Sequence, residues 1–285
     1  MYQPSLTASA GNCIIESDFS QVELCSLAQL AINLLGMHGM ADKINRGVDL
    51  HCELGAEIDG CTYEDILARC DSDIAAIRDP AKNTRNCAKP VNFGGPGGMQ
   101  AETMTFYAKQ GYGVIRPKAE WVRIIKLWGK TTPEGPEYLR YVKSSYKRNQ
   151  DGLYELTLPG TSIVRRGATF CAAANCGFQT LGTAVMPGRV GWLLTKECFT
   201  GRKPDGTPSP LRYFRPWNYV HDSFMGTCPI EARTEVSQRL ETVMIEGAQP
   251  FLPDVTVRCE TVAMTRWSKS AKSKMVNGEL SLWTG

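Results

Sequence analysis

The sequence predicts a mixed α+β chain, on three observations. A strand gives way to a helix near residue 20, further strand-like segments stand at 154–161 and around 219–220, and the long stretches between them carry apolar residues at helical spacing. At 285 residues the chain is large enough for one big domain or two closely packed ones. Its 42% hydrophobic and 21% charged residues are ordinary for a globular protein. No stretch approaches the length of a membrane span, and Met1-Tyr2-Gln3-Pro4-Ser5 has neither a basic leader nor an apolar signal core, so the expectation is a cytoplasmic protein without membrane contact. The eleven cysteines are odd in number and form no CxxC pair, and the closest spacing, Cys171 to Cys176, fits no zinc pattern. Buried free thiols are expected.

Taken in order, Cys13–Asp18 reads as a short strand, and from Ser20 onward Leu24, Leu27, Ala28, Ala31, Leu34 and Leu35 take helical spacing. Asp79-Pro80 predicts a helix start, with a capping carboxylate before a proline at the first helical position, and Gly94-Gly95-Pro96-Gly97-Gly98 ends that helix. Helices are expected over Lys118–Trp128 and from about Glu137, separated by Thr132-Pro133-Glu134-Gly135-Pro136. Tyr154–Thr161 predicts a strand and turn, and Ala172–Leu194 a helix that Pro187 and Gly188 interrupt. Residues 200–210 predict a flexible surface connection before a strand through Tyr219 and Val220 that ends at His221-Asp222.

The net charge of +3 hides a change of sign along the chain. Residues 1–77 carry three Lys+Arg against twelve Asp+Glu, residues 78–148 fourteen against five, and residues 149–285 fifteen against twelve. An acidic opening beside a basic middle suits a site where carboxylates hold metal and cations hold phosphate, although a solvated basic helix face gives the same count. In the basic segment lies Arg85-Asn86-Cys87-Ala88-Lys89-Pro90-Val91-Asn92-Phe93-Gly94. At about 100° per residue, positions 85, 89 and 93 fall within an arc of roughly 80°, so a guanidinium, an ammonium and an aromatic ring share one helix face. Two such cations can grip a triphosphate while the ring packs on sugar or base.

Three segments in this order carry a resemblance. Ser17-Asp18-Phe19-Ser20-Gln21-Val22-Glu23-Leu24 is similar to the first palm motif of family A, bacterial polymerase I-like DNA polymerases, usually Asp-Tyr-Ser-Gln-Ile-Glu-Leu-Arg. The Arg85 to Gly94 segment is similar to the fingers pattern Arg-x-x-x-Lys-x-x-x-Phe-Gly, and Tyr219-Val220-His221-Asp222-Ser223 resembles the Val-His-Asp-Glu hairpin motif. Gly47-Val48-Asp49-Leu50-His51 resembles Gly-x-Asp-Ile-His, and Asn175-x-x-x-Gln179 resembles a palm-helix pair that reads the minor groove.

The resemblance implies a palm, an antiparallel sheet backed by helices, with a mostly helical fingers subdomain inserted: palm 1–55 and 166–285, fingers 56–165, and neither thumb nor exonuclease domain. It implies template-dependent addition of dNTPs to a primer 3′-hydroxyl on primer-template DNA. Two Mg²⁺ ions, with Mn²⁺ as a possible substitute, would be held by Asp18, Asp222 and the Phe19 carbonyl. Arg85, Lys89, Phe93, His51 and Gln21 would bind the nucleotide, with Lys89 also donating a proton to departing pyrophosphate. Glu23 would be the steric gate against ribose, although Ser20-x-x-Glu23 also reads as a capping box. Asn175, Gln179 and His221 would contact DNA, the first two testing minor-groove acceptors that vary little with sequence.

Several positions depart from the pattern. Pro90 falls inside the fingers helix and predicts a kink, Gly97 stands where tyrosine is usual and predicts reduced base selectivity, Ser223 replaces a glutamate and Cys25 an arginine. Only seventeen residues precede Asp18, which implies a split, phage-type polymerase whose thumb and upstream palm come from a separate polypeptide. A single-subunit RNA polymerase shares the two aspartates, and a noncatalytic DNA-binding subunit of polymerase shape is the other alternative. Glu23 opposes the first, and joint retention of Asp18, Asp222, Arg85 and Lys89 opposes the second.

Overall fold

In the computed structural model, which describes residues 6–159 and 161–285, Asn12–Phe19 forms strand β1. There follow α1 (Val22–Leu35), α2 (Gly39–Asn45), α3 (Leu50–Asp59), α4 (Tyr63–Cys70), α5 (Ala75–Gly94), α6 (Ala101–Tyr112), α7 (Lys118–Thr131) and α8 (Glu134–Ser145). Next come β2 (Lys147–Arg148), β3 (Tyr154–Thr157), β4 (Val164–Ala168), α9 (Phe170–Thr180) and α10 (Met186–Thr200). The chain closes with β5 (Arg215–Val220), β6 (Ser223–Pro229), α11 (Arg233–Ala248), β7 (Cys259–Met264), β8 (Met275–Val276), β9 (Glu279–Leu280) and β10 (Leu282–Trp283). Met1–Ser5 of the expected leaderless terminus and Gly160 of the expected turn lie outside the described residues. The fold is α+β, as the sequence predicts.

The chain divides into two compact units, one of residues up to Val22 with Gly182–Gly285, the other Glu23–Leu181. In the first, five strands form a sheet in the order β10-β7-β1-β6-β5, antiparallel except for β10 beside β7. β1 is central because Cys13, Ile14 and Ile15 are all buried, with no polar face to turn to solvent. Ile14 meets Met225, Met264 and Trp267 in one apolar cluster. Helices α10 and α11 pack on each other, and α11 packs on β1, β6 and β7. Between the two helices Arg239 makes a two-pronged pair with Glu197, Nε to Oε1 at 2.7 Å and a terminal nitrogen to Oε2 at 2.8 Å, and the Ser209 hydroxyl donates to the same carboxylate. Glu197 is 5% exposed and Arg239 keeps only the more exposed Glu246 if it is lost, so Glu197→Ala should cost about 2–3 kcal/mol in thermal or urea unfolding, whereas Arg239→Met combined with Glu197→Leu should recover most of that loss.

The second unit holds the helices α2 to α9, the greater part of α1 and a small sheet in the order β2-β3-β4. Here α5 is amphipathic: Cys87, Ala88 and Val91 join Met104, Ala108, Trp121, Ile124 and Trp128 in a core shared with α6 and α7. Gly95 and Gly135 exist for Trp128, because a Cβ on either would approach the indole to 3.1 and 2.2 Å. The compact units divide at 22/23 and 181/182, with α3 packed on α5 and α9 on α8 inside the second unit.

Some expected elements differ in the structure. α5 begins at Ala75, ahead of Asp79-Pro80, with Ile74 as its cap residue. Pro80 only deletes the hydrogen bond to the Ala76 carbonyl near the helix start, and its fixed φ is already helical, so the helix runs through it. Asp79 pairs with Arg78 at 3.0 Å instead of capping. The helix expected from Ala172 is three pieces: α9, a π-helical stretch Leu181–Val185, and α10 with Pro187 in its first turn. Proline has no N–H for the Thr183 carbonyl, and the Tyr219 hydroxyl donates to that carbonyl at 2.8 Å. Residues 200–210 are not an open loop: Arg202 bridges Pro208, and Lys203 N–H donates to Thr207 at 2.9 Å. Among the described residues no helix is long and apolar enough to cross a membrane.

Candidate active site

Asp18 and Asp222 meet because of strand register. β1 runs antiparallel to both neighbours, which places Asp18 opposite Ser223 on β6 and opposite Glu260 on β7. Val220 pairs with Ser223, so His221-Asp222 is a two-residue hairpin turn beside the end of β1, and the Phe19 N–H points to the Asp222 carbonyl at 3.4 Å. His221 has φ 63°, the left-handed conformation that the first residue of a II′-type turn needs and that histidine adopts at a cost of about 1–2 kcal/mol. That turn projects Asp222 past the sheet beside the end of β1, close enough for its carboxyl to act on the carboxyl of Asp18. The His221 Nδ1 lies 3.4 Å from Asp222 Oδ1.

Desolvation first, then the charges of Asp222, Glu16 and Glu260, push the Asp18 carboxyl up to about 7. Carboxyls crowded at this spot make it a site short of positive charge. Asp18 remains open to solvent on one side, so a cation can reach it. The donors are hard oxygens, which suit magnesium, an ion usually held by one or two carboxylates plus water and phosphate oxygens. Among the described residues no three His, Cys, Asp or Glu side chains converge as a metal cage. Nearby in sequence Gln21, at φ 54°, keeps its Oε1 buried without a hydrogen-bond partner among the described residues.

In the helical unit the structure brings Arg85, Lys89, Phe93 and His51 together. Asp49 is the organiser: it caps α3 by accepting from the His51 and Cys52 amides at 2.8 and 3.2 Å, and its other oxygen takes Arg85 Nε at 2.8 Å and a terminal nitrogen at 2.7 Å. Arg85 is thereby aimed and half-buried. Lys89, one turn on, has no ion pair among the described residues, and burial together with the Arg85 charge lowers its pKa. His51 is 3% exposed, with Nδ1 2.9 Å from the Asn92 amide nitrogen and its ring 5.2 Å from that of Phe93. Burial pushes its pKa down to about 3, so the ring is neutral. Asp49 and Asn92 carry no role in the sequence reading. The signal for Asp49 was its place in Gly-Val-Asp-Leu-His, two residues before the histidine.

Glu23 is buried, and its charge acts on the Tyr112 hydroxyl, which lies 3.4 Å from that of Tyr107. The Ser20 N–H, which a capping box would give to Glu23, donates to the Arg258 carbonyl at 2.8 Å. α1 starts only at Val22, leaving Ser20 outside the cap position. Asn175 and Gln179 lie one turn apart on α9, both half-buried. Asn175 occupies the space beside Gly97: a Cβ there would fall 2.1 Å from its Oδ1. The position where tyrosine is usual is thus filled from α9, and a large side chain at 97 must displace Asn175. Cys25, in place of an arginine, is buried, as are Cys13, Cys52, Cys70, Cys87 and Cys228.

No family model matches the chain. In sequence it is 28% identical over 265 residues, 92% of its length, to DNA polymerase I of Aquifex aeolicus strain VF5, and it spans 40% of that relative. In fold it is similar to the POL domain of Pol1 from M. smegmatis, solved in complex with DNA primer-template and dNTP, with a TM-score of 0.61 at 17% identity over 93% of this chain and 42% of that one. The resemblance read from the motifs is therefore shown along nearly the whole chain, which is similar to a bacterial DNA polymerase I in sequence and has the fold of a polymerase domain.

Proposed function

We propose that this chain is the nucleotidyl-transfer core of a DNA-directed DNA polymerase, adding deoxynucleotides to a primer 3′-hydroxyl on primer-template DNA. One observation carries it: strand register brings Asp18 and Asp222, far apart in sequence, together at the end of an antiparallel sheet, with Asp18 opposite Ser223 and the Phe19 N–H 3.4 Å from the Asp222 carbonyl. Asp18, Asp222 and the Phe19 carbonyl would hold two Mg²⁺ ions. Bound there, the ions supply a lowered pKa for the primer hydroxyl and charge neutralisation on the triphosphate. The palm is the part with the carboxylate sheet and the fingers the part with α5.

The chain's own residues supply the rest. Arg85, held by Asp49, offers a fixed guanidinium to phosphate, and Phe93 offers a ring to sugar or base. Lys89, its pKa lowered, hands a proton to the pyrophosphate leaving oxygen. Neutral His51 serves as a hydrogen-bonding wall behind Phe93 and the phosphates. Gln21 contributes an unsatisfied acceptor to the nucleotide site, while Asn175, Gln179 and His221 line the path of the DNA. Sequence equivalent to the rest of the relative, in the same polypeptide or a partner, would add the thumb and upstream palm that hold DNA by its phosphates.

Glu23 is proposed to exclude the ribose 2′-hydroxyl. A buried carboxylate has little room to turn aside, as a gate requires. Glu23→Ala should raise rNTP incorporation relative to dNTP by about 10²-fold in single-nucleotide primer extension, the scale of a lost steric and polar clash of about 2.7 kcal/mol. An unchanged ratio would remove this role.

A further inference from the structure

We propose that Glu16 is a positioning carboxylate of the metal centre and takes over the part of the glutamate that Ser223 replaces. The inference rests on the reading of Asp18 and Asp222 as metal ligands. Residues two apart on a strand share a face, so Glu16 stands beside Asp18 on β1. The Ser223 hydroxyl donates to Glu16 Oε1 at 3.1 Å, which means that the Glu16 carboxyl reaches the very position following Asp222 where a carboxylate is missing. Its negative charge is felt at Asp18.

Glu16 is also steadied by its surroundings. Trp267 is 7% exposed, and its indole Nε1 has no hydrogen-bond partner among the described residues while lying beside the Glu16 carboxyl. Lys269 acts on the same carboxyl from further along the chain. Among the described residues no third carboxylate converges with Asp18 and Asp222 as a cage, so Glu16 would act on the site through Ser223 and through its charge, not as a direct ligand. A serine at 223 shortens the hairpin side chain, and the neighbouring strand restores the charge. The carboxylate has moved from one strand of the β1/β6 pair to the other.

The test counts free Mn²⁺ by electron paramagnetic resonance as the ion is titrated into the full chain at neutral pH, with thermal melts to verify folding. Glu16→Gln keeps the shape and the hydrogen bond from Ser223 but removes the charge, and should weaken Mn²⁺ binding about 10-fold. Adding Ser223→Glu to Glu16→Gln should restore it. If Glu16→Gln binds like the native chain while Asp222→Asn binds more weakly, Glu16 has no part in the centre. If Glu16→Gln weakens binding and Ser223→Glu fails to rescue it, the exchange of roles is wrong. A native chain that binds no Mn²⁺, or an Asp222→Asn chain that binds it equally well, overturns the metal centre itself and this inference with it.

Discussion

Asp222→Ala should abolish primer extension with Mg²⁺, lowering the rate at least about 10³-fold, a barrier increase of about 4 kcal/mol. The reason is that the catalytic oxygens are few. Among the described residues no third His, Cys, Asp or Glu side chain converges on the pair, so the loss of one carboxylate removes one of the two side chains that would hold the ions. The same residue should have the opposite effect on metal-free stability. Because the Asp18 carboxyl is raised from the ordinary carboxylate range near 4 to about 7, the folded state binds more protons than the unfolded state between those values. The strain is therefore absent below about pH 4, grows as pH rises, and is fully present above about 7. Asp18 is partly open to solvent, so the effect is screened to about 1 kcal/mol, or about 2–4 °C in Tm. Asp222→Asn should flatten this slope in metal-free thermal melts, and Mg²⁺ should cancel it in the native chain. A native chain that shows neither the slope nor the magnesium effect would count against the two carboxyls sharing charge.

Lys89→Ala should lower the rate of nucleotide addition by about 10²–10⁴-fold, the usual range for a lost general acid, with a smaller effect on nucleotide affinity because Arg85 retains its grip. The sign of the pH dependence identifies the role. Burial and the Arg85 charge stabilise the neutral amine, so Lys89 loses its proton at a lower pH than an ordinary lysine. As an acid it works only while protonated, and the native rate should fall on the alkaline side, earlier than for an exposed lysine. Pre-steady-state single-nucleotide addition across pH should show that limb in the native chain and not in Lys89→Ala. A variant that keeps the limb would move the proton donor elsewhere. Asp49→Asn, which releases Arg85 and removes a negative charge that favours the Lys89 ammonium, should raise the apparent nucleotide Kd and move the limb to lower pH without abolishing it.

Local chemistry made much of this protein legible from sequence. The apolar run Cys13-Ile14-Ile15 has only one stable outcome, a strand buried on both faces, and the arc of Arg85, Lys89 and Phe93 follows from helical geometry once the helix exists. The sequence alone does not set the start of α5, because a proline near a helix end is tolerated inside the helix as readily as at its first position. Nor does it reveal the π-helical stretch before Pro187, or that the hydroxyl of Tyr219, more than thirty positions away in the chain, donates to the Thr183 carbonyl there.

What the sequence by itself determined is which side chains are present and which of them share one element: the acid at the end of the first strand, the acid in the hairpin, and the cationic face of the long helix. Only tertiary structure decided that Asp18 would face both Asp222 and Glu260, that Asp49 would hold Arg85, that Asn175 would fill the space beside Gly97, and that Glu16 would reach Ser223. Periodicity fixes directions within an element, where neighbours are a few residues apart. Register and packing between elements decide which charges meet, and a shift of one residue in β1 would turn Asp18 to the opposite face of the sheet.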